Sequence, residues 1–133
     1  MKKKFSVLWK SSKQPRKQKK YVYNAPYHIK KKLIGVHLTK ELRTKYNKRA
    51  VTLKKGDKVK IMRGGYKGKI GKVERIDIKK SRIFITGIEV VKKDGSKMLF
   101  PLNPSNLLIT ELNLDDKKRQ QSLDRKKKQK GGK

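Results

Sequence analysis

Residues 54–73 have the sequence KKGDKVKIMRGGYKGKIGKV, and this stretch decides the fold. Val59 and Ile61 alternate with lysines, which is typical of a β-strand with one buried face. Several glycines then interrupt the alternation, and a second apolar stretch follows from Ile70 to Ile78. The pattern therefore predicts two strands joined by a glycine-rich loop.

The predicted loop carries side chains suited to RNA, namely Arg63, Tyr66, Lys67 and Lys69. Glycines let the backbone approach a phosphate closely. The cations would neutralise phosphates, and the tyrosine ring offers a surface for stacking. An ordinary hairpin loop, in which the glycines serve only the turn, is the alternative. The strand–loop–strand context favours the nucleic-acid contact.

Further strand signals continue to about residue 112. The alternation slips between Val73 and Ile76, which predicts a β-bulge, and Asp94-Gly95 is typical of a tight hairpin turn. The prolines of 101–104 predict a sheet edge for the last stretch, which residues 107–109 would close. The fold class is therefore mainly β, with five or so short strands in a small barrel or half-open sandwich over residues 51–112.

Residues 23–50 are predicted to be a helical segment. Asn24-Ala25-Pro26 has the composition of a helix start, and apolar residues recur at helical spacing at Ile29, Leu33 and Val36. Gly35 is expected to weaken or end this helix, and Thr39 to cap a second short helix.

The two ends of the chain are basic extensions. Residues 1–22 form the N-terminal one, in which residues 1–20 cannot bury enough apolar area to become ordered alone; Phe5 to Trp9 is a short apolar patch that could dock on a partner. Residues 113–133 form a basic tail. It has a candidate helix from Leu114 to Leu123 and an expected disordered run from Arg125.

The charge of the chain indicates a polyanionic partner. The 133 residues include 41 Lys+Arg and 10 Asp+Glu, a formal net charge of +31, and only 33% are hydrophobic. Basic residues outnumber acidic ones 17 to 1 in residues 1–50, 15 to 6 in 51–114 and 9 to 3 in 115–133. So many positive charges repel one another, and a partner with dense negative charge is the simplest way to neutralise them.

Other classes of function find little support. No apolar run approaches the roughly 20 residues that a membrane-spanning helix needs, and the N-terminus lacks the apolar region of a signal peptide. The absence of cysteine excludes a disulfide framework and weakly indicates an intracellular protein. His28 and His37 have no carboxylate at ligand spacing, so no metal site or cofactor is predicted. No serine has a nucleophile-elbow context, so an enzyme is not expected.

The acidic residues of the predicted barrel stand singly among lysines. We interpret them as surface ion-pair partners: Asp57, Glu74, Asp77, Glu89 and Asp94.

Residues 54–73 resemble a KOW motif, and the chain resembles the universal KOW-domain ribosomal proteins of the large subunit, the bacterial protein twenty-four family. The resemblance is stronger to the archaeal and eukaryotic branch, whose eukaryotic member is numbered twenty-six. The other matching stretches are SSKQPRKQKK (11–20), YNAPYHIKKKL (23–33), HLTKELRTKY (37–46) and NPSNLLITELNLDDKKR (103–119). They span most of the chain in the family's order.

The resemblance implies an SH3-like barrel that binds large-subunit rRNA early in assembly, near the nascent-chain exit. It also implies a cytoplasmic protein with neighbouring large-subunit proteins as partners and without membrane insertion. Nascent-chain or translocation factors at the exit are further candidate partners.

The candidate RNA-binding residues are the basic residues of the extension, the helical segment and the barrel loop. They are Lys10, Lys13, Arg16, Lys17, Lys19, Lys20, Lys30, Lys31, Lys32, Arg43, Arg49, Arg63, Tyr66, Lys67, Lys69 and Lys72. Trp9 and Tyr66 are candidates for base stacking, as are Tyr21 and Tyr23, for which core packing is an alternative of at least equal weight.

Two other functions stay open at this point. A KOW module of transcription elongation would need an accompanying domain that contacts RNA polymerase. An architectural nucleic-acid binder is compatible with the charge alone.

Overall fold

The computed structural model describes residues 5–9 and 11–128 of the chain. The strands are β1 (Gly35–Leu38), β2 (Ala50–Thr52), β3 (Lys58–Ile61), β4 (Ile70–Asp77), β5 (Arg82–Ile85), β6 (Glu89–Val91), β7 (Lys97–Leu99) and β8 (Leu107–Glu111). The helices are α1 (Pro15–Asn24), α2 (Tyr27–Leu33), α3 (Lys40–Tyr46) and α4 (Lys117–Lys128), with a 3-10 turn at Pro104–Asn106.

The strands form one sheet and one hairpin. The six-stranded sheet has the order β2-β1-β8-β3-β4-β5, in which β1 and β8 are parallel and the other neighbours are antiparallel. The β6–β7 hairpin turns at Gly95, which has a φ of 81°. Backbone hydrogen bonds in both directions between Ile83 of β5 and Leu102 join the hairpin segment to the sheet, and the bond from Phe100 to Ile88 extends the hairpin itself. This is the small, mainly β, SH3-like fold that the sequence predicts.

The hydrophobic core belongs to the sheet. In β3, Val59 and Ile61 are buried while the alternating Lys58 and Lys60 are half-buried, as the pattern predicts. The cluster of buried side chains is Ile34, Val36, Leu38, Leu53, Val59, Ile61, Val73, Ile83, Ile85, Ile88, Leu102, Leu107 and Ile109. Helices α1 and α2 contribute no buried residue from within their own bounds. The core is therefore built by the strands and by residues of the segments that join them.

Strand β4 confirms the predicted bulge. Its register against β5 shifts between Val73 and Arg75. A bulge bends the strand and increases its twist, which lets a small sheet curve around its core.

Gly71 in β4 sits where no side chain fits. A Cβ atom there would lie 2.5 Å from Ile85 Cγ2 and 2.8 Å from the carbonyl oxygen of Thr86. The first atom belongs to a buried core side chain and the second to the backbone, so neither can shift without loss of stability. We expect Gly71→Ala to lower the free energy of unfolding by about 1–3 kcal/mol, as overpacking does elsewhere, measured by urea denaturation.

Gly65→Ala is the matched control. No atom of the described residues lies within 4 Å of a Cβ at Gly65, and its φ is not positive. The stability of this variant should therefore be unchanged or slightly higher. Equal stability of the two alanine variants would contradict the close packing of Gly71.

Residues 1–20 are predicted not to become ordered alone. This prediction is wrong for residues 15–20, which form the first part of α1. Pro15 begins the helix, where its fixed φ and missing N–H cost nothing. The apolar patch supplies a partner: the rings of Phe5 and Trp9 lie 4.9 Å and 6.3 Å from the ring of Tyr21.

The Asn24-Ala25-Pro26 stretch lies between two helices. Its composition predicts a helix start, but α1 ends at Asn24 and α2 begins at Tyr27. The proline disfavours helical backbone at the residue before it, and Ala25 is accordingly extended, with a ψ of 134°.

One strand assignment differs from prediction and another agrees with it. The helical spacing places Val36 on a helix, but this residue lies buried in β1, whose parallel pairing with β8 is a long-range contact. Residues 107–109 close the sheet as predicted, because they lie in β8, which pairs with β1 on one side and β3 on the other. The chain divisions at 22, 50 and 112 stay predictions.

The C-terminal helix α4 begins at Lys117 rather than Leu114 and continues to Lys128. The expected disordered run from Arg125 is therefore wrong for residues 125–128. Residues 129–133 lie outside the described part of the chain.

Candidate nucleic-acid interface

The loop between β3 and β4 presents cations on a fixed backbone. Gly64 and Gly68 take positive φ values of 91° and 89°, which favour glycine. The N–H of Lys67 donates to the carbonyl of Gly64 at 3.0 Å, and the N–H of Gly68 donates to the carbonyl of Ile61 at 2.8 Å. Arg63, Lys67 and Lys69 are exposed, as an RNA contact requires.

Tyr66 anchors this loop to the β6–β7 hairpin segment. Its hydroxyl donates to the carbonyl of Glu89 at 3.0 Å, and its ring lies 5.2 Å from the ring of Phe100. The Lys69 ammonium stands 5.2 Å from the centre of the same ring. The sequence did not reveal this structural role, and base stacking by Tyr66 stays a prediction.

A second group of cations surrounds an open groove of about 770 Å³ beside β2 and α4. Lys31 and Arg49, both predicted as site residues, line it. Sequence reasoning missed the other cations along this groove, which are Lys48, Lys54, Lys118 and Arg119. Composition alone could not single them out, because they meet only when α4 docks.

The docking of α4 depends on a buried ion pair. Both guanidinium Nη atoms of Arg119 donate to the carboxylate of Asp57, at 2.6 Å and 2.7 Å. Asp57 is 0% exposed and Arg119 is 6% exposed, so the interpretation of Asp57 as a surface partner is wrong. The backbone N–H groups of Lys54 and Asn113 complete the carboxylate's hydrogen bonds, each at 2.8 Å.

Asp116 orients the start of α4. Its carboxylate accepts the backbone N–H of Lys118 at 2.9 Å and pairs with the ammonium of Lys54. The hydrogen bond from Lys54 is the main reason that the pKa of Asp116 is lowered; burial opposes it, and the backbone N–H groups of Arg119 and Lys118 reinforce it. Asp116 therefore stays charged at neutral pH and holds Lys54 at the groove.

The remaining predicted residues are mostly exposed. Exposed on α1, α2, β4 and the N-terminal segment are Trp9, Lys13, Arg16, Lys17, Lys19, Lys20, Lys32 and Lys72. Two others are half-buried and bonded within the chain: Arg43 Nε donates to the carbonyl of Leu38 at 2.7 Å, and Lys30 Nζ donates to the carbonyl of Tyr23 at 3.0 Å. Lys10 lies outside the described residues.

Metal and membrane sites find no support in the described part of the chain. Within residues 5–9 and 11–128, no cluster of three or more His, Asp or Glu side chains could hold a metal ion. None of the helices in these ranges is long and apolar enough to cross a membrane. His37 lies in β1 and His28 lies in α2, so the two histidines stand on different elements.

Comparison with known proteins identifies the family. A family model that describes the eukaryotic ribosomal proteins L26 and their archaeal L24 counterparts matches residues 12–126. The chain is 47% identical over 115 residues to the large ribosomal subunit protein uL24 of Methanosphaera stadtmanae, which covers 86% of this chain and 98% of the relative. It is 46% identical over 112 residues to the uL24 protein of Methanospirillum hungatei, covering 84% and 93%. With the sheet, the basic loop and most of the chain inside the matched region, the protein belongs to the family of eukaryotic L26 and archaeal L24 ribosomal proteins.

Proposed function

We propose that this protein is a structural component of the large ribosomal subunit that binds large-subunit rRNA. Membership of the family supports a non-enzymatic role and a place in cytoplasmic ribosomes. In the proposal the protein binds early in assembly and lies near the nascent-chain exit. Its partners are rRNA, neighbouring large-subunit proteins and factors that act at the exit.

The observation that carries the proposal is the excess of exposed cations. If each of the 10 acidic side chains neutralised one of the 41 basic ones, a charge of +31 would still remain. The structure fixes many of these cations on the loop, on α1 and around the groove beside α4. Such surfaces bind nucleic acid chiefly by neutralising phosphates and releasing counterions.

The architecture supports recognition of RNA shape more than of base sequence. The cations stand on the β3–β4 loop of the sheet and on helices outside it, so they can contact different stretches of a folded backbone. Phosphate contacts of this kind fix the position and orientation of the protein on the RNA. Contacts with unpaired bases would add sequence specificity.

Sedimentation with crosslinking tests the proposal. In a sucrose gradient of cell extract, the endogenous protein should co-sediment with large subunits and their precursors, and its crosslinks should map to large-subunit rRNA. Crosslinks should also join it to proteins at the nascent-chain exit. Co-purification with RNA polymerase, or a preference for duplex DNA over structured rRNA at equal salt, would refute it.

The loop cations give a residue-level prediction. The double variant Arg63→Gln, Lys67→Gln removes two exposed charges without touching the core. We expect the slope of log affinity for rRNA against log salt to fall by about 1 for each charge removed, because each phosphate contact contributes about that much. Filter binding over a salt series measures it.

Lys92→Gln, Lys93→Gln is the matched control. It removes the same charge from the exposed end of the β6–β7 hairpin, outside the predicted site. Its slope should stay closer to that of the unmodified protein. An equal loss in both variants would show that only net charge matters and that the loop has no special contact.

A further inference from the structure

The elbow between α1 and α2 forms an open groove with the β4–β5 turn. The groove has a volume of about 710 Å³. We call it the elbow groove, and it is lined by Lys19, Val22, Tyr23, Ala25, Tyr27, Lys30, Lys79 and Lys80. Among these, Lys19 and Lys30 are predicted RNA-binding residues, and Tyr23 is a predicted candidate for base stacking.

Two tyrosine rings in the elbow groove are left in solvent. Tyr23 is 81% exposed and Tyr27 is 60% exposed, whereas Tyr46 is buried and Tyr66 packs on Phe100. Covering an exposed tyrosine ring with another surface is favourable, because a large apolar area is then buried. The two rings flank the Ala25-Pro26 break, so both belong to one short stretch of surface.

Four lysines line the groove together with these rings. Lys19 comes from α1, Lys30 from α2, and Lys79 and Lys80 from the β4–β5 turn, while no carboxylate of the described residues lines the groove. The nearby Asp77 accepts the backbone N–H of Lys80 at 3.1 Å, which shapes the turn. The groove therefore attracts an anion that also carries a flat apolar face.

The elbow is also held in a fixed shape. Ala25 is buried, and the carbonyl of Pro26 accepts the N–H groups of Ile29 and Lys30, each at 3.0 Å. Lys30 Nζ donates to the carbonyl of Tyr23 at 3.0 Å, which ties α2 back to the end of α1. A site formed in advance loses less conformational freedom on binding.

We propose that the elbow groove binds an unpaired nucleotide of RNA, with its base on Tyr23 or Tyr27 and its flanking phosphates beside the lysines. In a helical duplex the base faces are covered by their neighbours, whereas unpaired bases are free to stack on aromatic rings. The groove falls within the size range of small-ligand sites, roughly 300–1,000 Å³. The proposal rests on the proposed rRNA binding and names a contact within it.

Two double variants test the proposal against the large-subunit rRNA of the source cells, transcribed in vitro. Tyr23→Leu, Tyr27→Leu removes the rings but keeps apolar side chains, and Tyr23→Phe, Tyr27→Phe keeps the rings. We expect the leucine variant to bind about 5- to 150-fold more weakly with an unchanged salt slope, since loss of one stacked base costs about that much affinity. The phenylalanine variant should bind like the unmodified protein. Because both tyrosines are exposed, circular dichroism should show that all three proteins are folded.

Photocrosslinking supplies a second readout. With 5-iodouridine in the transcript, ultraviolet light should join RNA to the peptides that contain Tyr23 or Tyr27. Equal affinity of the leucine and phenylalanine variants would overturn the proposal while leaving rRNA binding intact, and so would crosslinks that appear only elsewhere. Failure of the unmodified protein to bind the transcript would instead overturn the proposed function and this site with it.

Discussion

Raising the salt concentration from about 50 mM to about 200 mM is expected to weaken binding to large-subunit rRNA by about 10³- to 10⁵-fold. The expectation follows if roughly six to ten phosphates are neutralised on binding, because each contact releases condensed counterions whose entropy gain shrinks as salt rises. Exposed cations on the loop, on α1 and around the groove beside α4 are numerous enough for this. Filter binding of purified protein to transcribed rRNA at several salt concentrations measures the slope.

The same titration separates charge from stacking. Removing loop charges should make the line shallower, whereas removing the tyrosine rings of the elbow groove should lower the line without tilting it. A nearly flat line for the unmodified protein would contradict phosphate neutralisation as the main source of affinity. In that case the surplus of +31 would need another partner.

Local patterns in the sequence predict the parts of the fold that depend on near neighbours. The strand–loop–strand stretch around Gly64 and Gly68, the bulge after Val73 and the turn at Gly95 each have a signal within a few residues. Period-two alternation shows which side chains face the core, and glycine marks where the backbone needs a positive φ. These features are confirmed by the structure.

Contacts between distant segments cannot be predicted in this way. The spacing of Val36 from Ile29 and Leu33 is helical, but its place in β1 is decided by pairing with β8, about 70 residues later. Helix α1 has no clear local signal because its stabilising partner, the Phe5–Trp9 patch, is separate from its own basic sequence.

The candidate site also contains some residues that the local sequence identifies and others that only long-range contacts bring together. The loop cations can be found because they stand together in the sequence. The cations of the groove beside α4 cannot, since Lys48 and Lys118 meet only when the C-terminal helix packs on the sheet. The ion pair that holds this helix joins residues 62 positions apart, so an isolated Asp57 among lysines gives no sign of it.

Loss of the Asp57 carboxylate is expected to destabilise the fold more than any of the other substitutions described above. Asp57→Ala leaves the Arg119 guanidinium buried without its charge partner and removes the acceptor for two backbone N–H groups. Breaking a buried pair in this way costs about 3–5 kcal/mol. For a chain of this size, the midpoint of thermal unfolding should fall by at least about 10 °C.

Comparison with an exposed ion pair tests whether burial is the reason for this loss of stability. Glu111→Ala breaks the ion pair with Lys58, in which the Lys58 and Glu111 side chains are 42% and 67% exposed, and an exposed pair contributes about 1 kcal/mol or less. The double variant Asp57→Ala, Arg119→Leu should be less destabilised than the sum of its single variants, because neither charge is then left buried alone. Because the Asp57–Arg119 pair holds α4 in place and α4 brings Lys118 to the groove, Asp57→Ala should also weaken rRNA binding. Stability losses that simply add, or an Asp57→Ala loss no larger than that of Glu111→Ala, would mean that the buried pair does not hold the helix on the sheet.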